Sequence, residues 1–89
     1  MYVYEWDEAK RTANRAKHEV DFTAVAGFDW GTAIQRRDSR ADYGEPRWIA
    51  LGLIGDRLHV LVYTLRGTTI RVIGLRKANP REQRSYHHG

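Results

Sequence analysis

The stretch "LHVLVYTLRGTTIRVIGLRKA", residues 58–78, decides the fold. Apolar and polar residues alternate along both arms about Gly67-Thr68, the period of two strands joined by a tight turn. A two-residue turn there pairs Arg66 with Thr69, Thr64 with Arg71 and Val62 with Ile73 on one face. The other face then holds Tyr63 beside Val72, and His59 opposite Arg76. Upstream, "RWIALGLI" (47–54) is joined to this hairpin through "GDR" (55–57), which predicts an antiparallel meander. Both faces of the meander are partly apolar, so both require cover: one by N-terminal helices, the other by the C-terminal segment or a partner.

The segment "YEWDEAKRTANRAKHEVDF", residues 4–22, supplies the first helix. Residues 2–6 form a short strand or an extended lead-in, and Asp7 is an N-cap for a helix from Glu8 to His18. Ala9, Ala13, Ala16 and Val20 recur at the helical period, and this stripe is expected to pack closely on the sheet. Lys10, Asn14 and Lys17 share one flank, with His18 further round. Asp21 can cap a second, short apolar helix in "FTAVAGF" (22–28) that Gly27 or the Gly31 region ends, and "TAIQRRD" (32–38) reads as a strand. "SRADYGEP" (39–46) has loop chemistry, after which the meander begins. Asn79, Pro80 and Glu82 are a cap, a first-turn proline and an N3 carboxylate, so a short C-terminal helix runs through "REQRSY" (81–86). The expected class is α+β, with residues 1–89 as one domain.

Bulk chemistry narrows the function. Fifteen Lys and Arg against eleven Asp and Glu leave a formal charge of +4, which suits a polyanion such as nucleic acid or an acidic protein. The chain has no cysteine, which removes disulfides, thiolate nucleophiles and zinc–thiolate sites. Its apolar runs are far shorter than the ~20 residues of a membrane span, and charge begins at Glu5 where a secretory leader would be apolar. A soluble cytoplasmic protein with no membrane association is expected. No residues show metal-ligand spacing and no glycine-rich loop opens a helix, so neither a metal nor another cofactor is expected. The histidines of the closing "SYHHG" carry no functional weight.

The pieces "EWDEAKRTANRAKHEVDF", "EPRWIALGL", "LHVLVYTLRG" and "IRVIGLRKANPREQRSY" together resemble the BrnT family of bacterial toxins over nearly the whole chain. Glu5, Trp6, Asp7, Lys10, Asn14, Lys17, His18, Val20, Phe22, Tyr63, Thr64, Arg66, Arg71, Arg76 and Ala78 stand at the positions of the family pattern. Three departures accompany the match: Glu19 where glycine is usual, Glu45-Pro46-Arg47 serving for Glu-x-Arg, and Gly74-Leu75 in place of Ser-Ala. The resemblance implies a RelE-like domain with N-terminal helices on an antiparallel sheet, and an RNA-cleaving activity that arrests translation. It also implies a hetero-oligomer with a BrnA-like ribbon-helix-helix antitoxin, through which alone operator DNA is bound.

Metal-free RNA cleavage needs a base for the 2′-hydroxyl, cations for the phosphorane and an acid for the leaving 5′-oxygen. Arg66 and Arg76, supported by Arg71, are candidate cations; each alternatively guards a strand edge or pairs with a carboxylate. His18 is a candidate acid or base, or a cap on the first helix's carbonyls. Lys10 and Lys17 can hold the phosphate backbone or supply the proton, and Asn14, on the same flank, is a candidate RNA contact with Lys10; the plainer role of the two lysines is a solvated helix flank. Glu45 is a candidate base or a loop partner of Arg47, which is itself a candidate RNA contact. Tyr43 and Trp48 stack on a base or simply pack. Two other functions fit the same residues: a non-catalytic basic module that binds nucleic acid or serves as a corepressor, and a degenerate toxin kept as an interaction partner, toward which Gly74 points.

Overall fold

The computed structural model describes residues 2–88. Its elements are β1 (Val3–Trp6), α1 (Glu8–His18), a 3-10 segment (Phe22–Gly27), β2 (Ile34–Asp38), β3 (Arg47–Ile54), β4 (Arg57–Arg66), β5 (Thr69–Lys77) and α2 (Pro80–His88). The five strands form one sheet in the order β1-β5-β4-β3-β2. Strands β3 to β5 are the expected antiparallel meander, β2 extends it antiparallel to β3, and β1 joins β5 in parallel, so the sheet is mixed.

Local signals explain the element ends. The Asp7 carboxylate accepts from the backbone N–H of Ala9 at 2.8 Å and Lys10 at 3.3 Å, which closes the α1 N-terminus. Glu19 ends α1 in the left-handed region, φ 60°, with its N–H on the Arg15 carbonyl at 2.9 Å. Asp21 caps the 3-10 segment. At α2 the capping box is complete: the Glu82 N–H donates to Asn79 Oδ1 and the Asn79 N–H to Glu82 Oε1, both at 2.8 Å. Gly67, at φ 62°, makes the β4–β5 turn that holds Arg66 opposite Thr69.

The register expected for β4 and β5 holds near the turn and fails beyond it. Tyr63 faces Val72 as expected, but Val62 faces Gly74, so Ile73 is an extra residue on β5. The bulge moves every later β5 side chain to the other face. Leu75 therefore pairs with Leu61 in the main core, and Arg76 pairs with Val60 instead of His59, which faces Lys77. The physical gain is that a leucine enters the core and an arginine leaves it.

The main core lies on one face of the sheet, where Phe22, Val25, Phe28 and Trp30 pack on Ala50, Leu61, Tyr63, Val72 and Leu75. Gly52 lets the Phe28 ring lie directly on β3, since a Cβ there would come within 2.4 Å of it. On the other face a smaller cluster of Ile49, Leu58, Val60 and Ala78 is covered partly by Tyr86 of α2, so the C-terminal segment, one of the two covers expected, supplies part of it.

Helix α1 does not pack as its alanine stripe suggested. Ala9, Ala13 and Ala16 are exposed, and the half-buried residues are Arg11, Asn14 and His18 on the opposite side. The helix meets the sheet through polar bonds. Strand β1 follows β5 only as far as Val72; beyond it Asn14 occupies the edge, donating to the Leu75 carbonyl at 2.7 Å and accepting from its N–H at 3.2 Å. Arg11 donates to Asp21 at 2.8 and 3.0 Å, which ties α1 to the 3-10 segment and holds the Asp21 carboxyl well below the usual carboxylate range.

Candidate nucleic-acid interface

The bulge and the edge position of α1 combine to form a cleft on the less covered face of the sheet, with a volume of about 610 Å³. Its floor is apolar: Ile49, Leu51, Val60, Val62 and the bare backbone of Gly74. One wall is the C-terminal end of α1 with Asn14, Lys17 and His18, and the opposite side is Arg36 of β2 with Arg40 just after it. Arg76 enters from β5, and α2 contributes Arg81, Glu82 and Ser85. Five permanently basic side chains, Lys17, Arg36, Arg40, Arg76 and Arg81, thus surround a single carboxylate, Glu82. Such a concentration of cations over a low-dielectric floor focuses positive potential outward, which favours a polyanion.

Two ion pairs order this cluster. Arg76 donates from Nη1 and Nη2 to the two Glu82 carboxylate oxygens at 2.8 and 2.7 Å, which raises the Arg76 pKa and lowers that of Glu82. Arg40 makes a similar fork onto Asp38 at 2.8 Å for both bonds, and the Tyr43 hydroxyl donates to the same carboxylate at 3.3 Å. These contacts hold the buried Asp38 carboxyl down to about 2. His18 carries no such anion. Burial first, and then the charges of Lys17 and Arg76, lower its pKa, which favours the neutral imidazole. The Glu19 N–H, not His18, closes the C-terminus of α1.

The residues singled out in the sequence divide into two groups. Lys17, His18, Asn14 and Arg76 meet in the cleft. Arg66, Glu45, Arg47 and Arg71 do not; they lie toward the β4–β5 turn. Arg66 pairs with Thr69 while Arg76 pairs with Val60, six residues along β4 and about 20 Å away. This separation breaks up the expected convergence of Arg66 with Arg76. Arg66 lies 3.8 Å from Glu45, which therefore partners Arg66 and not Arg47. The Arg47 guanidinium instead stacks 4.0 Å from the centre of the Tyr43 ring, and Arg71 pairs with Glu5 at 2.5 Å. Lys10 is exposed and outside the cleft. Asn14 reaches the cleft wall, but both of its Nδ2 hydrogens are committed, to the Val20 and Leu75 carbonyls. Trp48 is partly buried against the main core, with Arg37 5.7 Å from its ring centre.

Sequence reasoning missed Arg36, Arg40, Arg81, Glu82 and Ser85 as site residues. A partial signal was present, because Arg36 shares a strand face with Ile34, and Arg81 and Ser85 are one helical turn apart. What placed them together is the pairing of Arg36 with Ile49 across a long loop and the folding of α2 back over the sheet.

Known proteins bear on this geometry. Residues 6–82 match the family described as the ribonuclease toxin BrnT of type II toxin–antitoxin systems. The structure resembles the 1.1 Å crystal structure of the Brucella abortus ribonuclease toxin BrnT, with a TM-score of 0.69 and 28% sequence identity over 89% of this chain and 99% of that one. No curated protein matches the sequence.

Proposed function

Since the chain belongs to the BrnT ribonuclease toxins of type II toxin–antitoxin systems, we propose that it cuts RNA in the cationic cleft between α1, β5 and α2, without a metal ion. The carrying observation is the placing of His18 beside five permanent cations in one cleft. In this reaction His18 takes the proton of a 2′-hydroxyl, the 2′-oxygen attacks phosphorus, and Lys17 returns a proton to the departing 5′-oxygen. The products are a 2′,3′-cyclic phosphate and a 5′-hydroxyl end. Arg76, Arg36, Arg40 and Arg81 oppose the charge that builds on the phosphorane oxygens. Among the described residues no three His, Asp or Glu side chains are grouped to hold a metal ion, so the cleft supplies its positive charge from side chains.

Membership of a type II system supports a protein antitoxin, and we assign it the ribbon-helix-helix class, binding this chain in a hetero-oligomer and contacting operator DNA itself. The RelE-like character of the domain and its action in the cytoplasm belong to the same proposal. No helix of the described residues is long and apolar enough to cross a membrane.

The test is incubation of the purified chain with RNA in EDTA, with Arg76→Ala beside wild type. Cleavage leaving cyclic-phosphate ends, lost in the variant, is the expected result. Tight RNA binding with no cleavage by wild type would favour the non-catalytic module instead.

A further inference from the structure

Arg76 has five N–H donors, and the structure uses only part of them. Nη1 is fully engaged, by Glu82 Oε1 at 2.8 Å and the Lys77 carbonyl at 3.3 Å, and Nη2 gives one hydrogen to Glu82 Oε2 at 2.7 Å. The Nε–H and the second Nη2–H have no partner among the described residues. The Nε of Arg76 is not sealed off either, because among the described residues the buried side-chain nitrogen lacking a partner is that of Arg47. These two donors lie side by side on one edge of the guanidinium, the spacing that matches two phosphate oxygens.

Glu82 is itself held. Its Oε1 also accepts the Asn79 N–H at 2.8 Å, so the carboxylate is anchored to the first turn of α2 and cannot follow a wandering arginine. From this we propose that Glu82 is a positioning residue for RNA: by gripping the Nη1–Nη2 edge of Arg76 it presents the Nε–Nη2 edge to the scissile phosphate. The role rests on the RNA-cleaving function proposed above and extends it to a residue that never touches substrate. A guanidinium turned away from the reacting phosphate loses its action even though its charge remains.

Glu82→Gln separates this role from helix capping, because glutamine also serves at N3 of a capping box. Glutamine offers Arg76 one oxygen and no charge, so the fork is released. Steady-state cleavage of a short RNA in EDTA is expected to show kcat lower by about 10- to 100-fold. KM should be unchanged or lower, since the cleft gains one positive charge. In an Arg76→Lys background, where no fork edge exists to orient, Glu82→Gln is expected to cause no further loss of kcat.

A second measurement follows the Arg76 Nε–H resonance in ¹⁵N-labelled protein on addition of a DNA oligonucleotide that cannot be cut. It should shift in wild type and be lost to exchange in Glu82→Gln. A Glu82→Gln variant that cleaves as fast as wild type or faster overturns the positioning role, and so does an equal loss in both backgrounds. If wild type neither cleaves RNA nor shows an Nε–H response, the RNA-cleaving function fails together with this inference; if it cleaves normally and only the variant is silent in its effect, this inference alone fails.

Discussion

Asn14 pairs with Leu75 as if it were one more residue of a strand. Its side-chain amide both donates to and accepts from the Leu75 backbone at 2.7 and 3.2 Å, and its second hydrogen reaches the Val20 carbonyl at 3.0 Å. One side chain thus ties α1, the segment after it and β5 together where β1 has ended. The position of Lys17 and His18 against Arg76 depends on this junction, because α1 buries no residue of its own.

Asn14→Ala is predicted to lower stability by about 2–4 kcal/mol, because three backbone groups lose their partner in a half-buried place. Urea unfolding would report it as a lower midpoint with an unchanged slope. A loss below 0.5 kcal/mol would show that water replaces the amide without cost.

Arg76 and Arg66 are predicted to differ sharply. Arg76→Ala should lower kcat by about 10²–10³-fold. Arg66→Ala, about 20 Å away and beyond a Debye length at physiological salt, should change it by less than about threefold. Equal losses in the two variants would mean that RNA engages the turn end of the sheet as closely as the cleft.

The lowered pKa of His18 sets a pH profile. A general base works when deprotonated, so cleavage should be level at pH 7 and fall only below the ordinary histidine value of about 6.5. His18→Gln should remove that acid limb. An acid limb with its inflection above 6.5, or one that survives in the variant, would deny His18 the role.

Stability should fall with acid in two stages. His59, like His18, has a pKa lowered first by burial. Near pH 6.5 the unfolded chain takes up protons that the folded one resists, so stability is full above 6.5 and declines as pH falls toward the folded values. The second stage comes from Asp38 and Glu82, whose folded pKa values lie below those of free carboxylates. Their contribution is full above about pH 4.5 and is lost as pH falls through the folded values, about 2 for Asp38. Thermal unfolding followed from pH 8 to pH 2 would trace both stages.

Backbone positions make a contrasting set. Glu19→Gly should raise stability by about 0.5–1 kcal/mol by relieving the left-handed conformation at the α1 C-terminus. Gly52→Ala should lower it by about 2 kcal/mol or more, since its Cβ would sit 2.4 Å from the Phe28 ring. Gly74→Ser should be neutral, because a Cβ there meets nothing closer than 3.9 Å. Melting temperatures of the three purified variants would rank them.

Features set by near neighbours in the chain were legible in advance. Asp7, Asn79 and Glu82 mark helix ends through bonds spanning two or three residues, and Gly67 makes a turn whose flanking pairs follow at once. Alternation identified β3, β4 and β5, and Lys17, His18 and Arg76 were singled out from their own segments. The tertiary structure decided the rest. The Ile73 bulge put Arg76 on the open face, β1 aligned in parallel with β5, and Asn14 turned the alanine stripe of α1 toward solvent. It also assembled Arg36, Arg40, Arg81 and Glu82 into one cleft and left Arg66 outside it. The reason is range: a cap or a tight turn is a contest among a few adjacent groups, whereas a bulge or a cleft is settled by which distant side chains must share a core and which must avoid it.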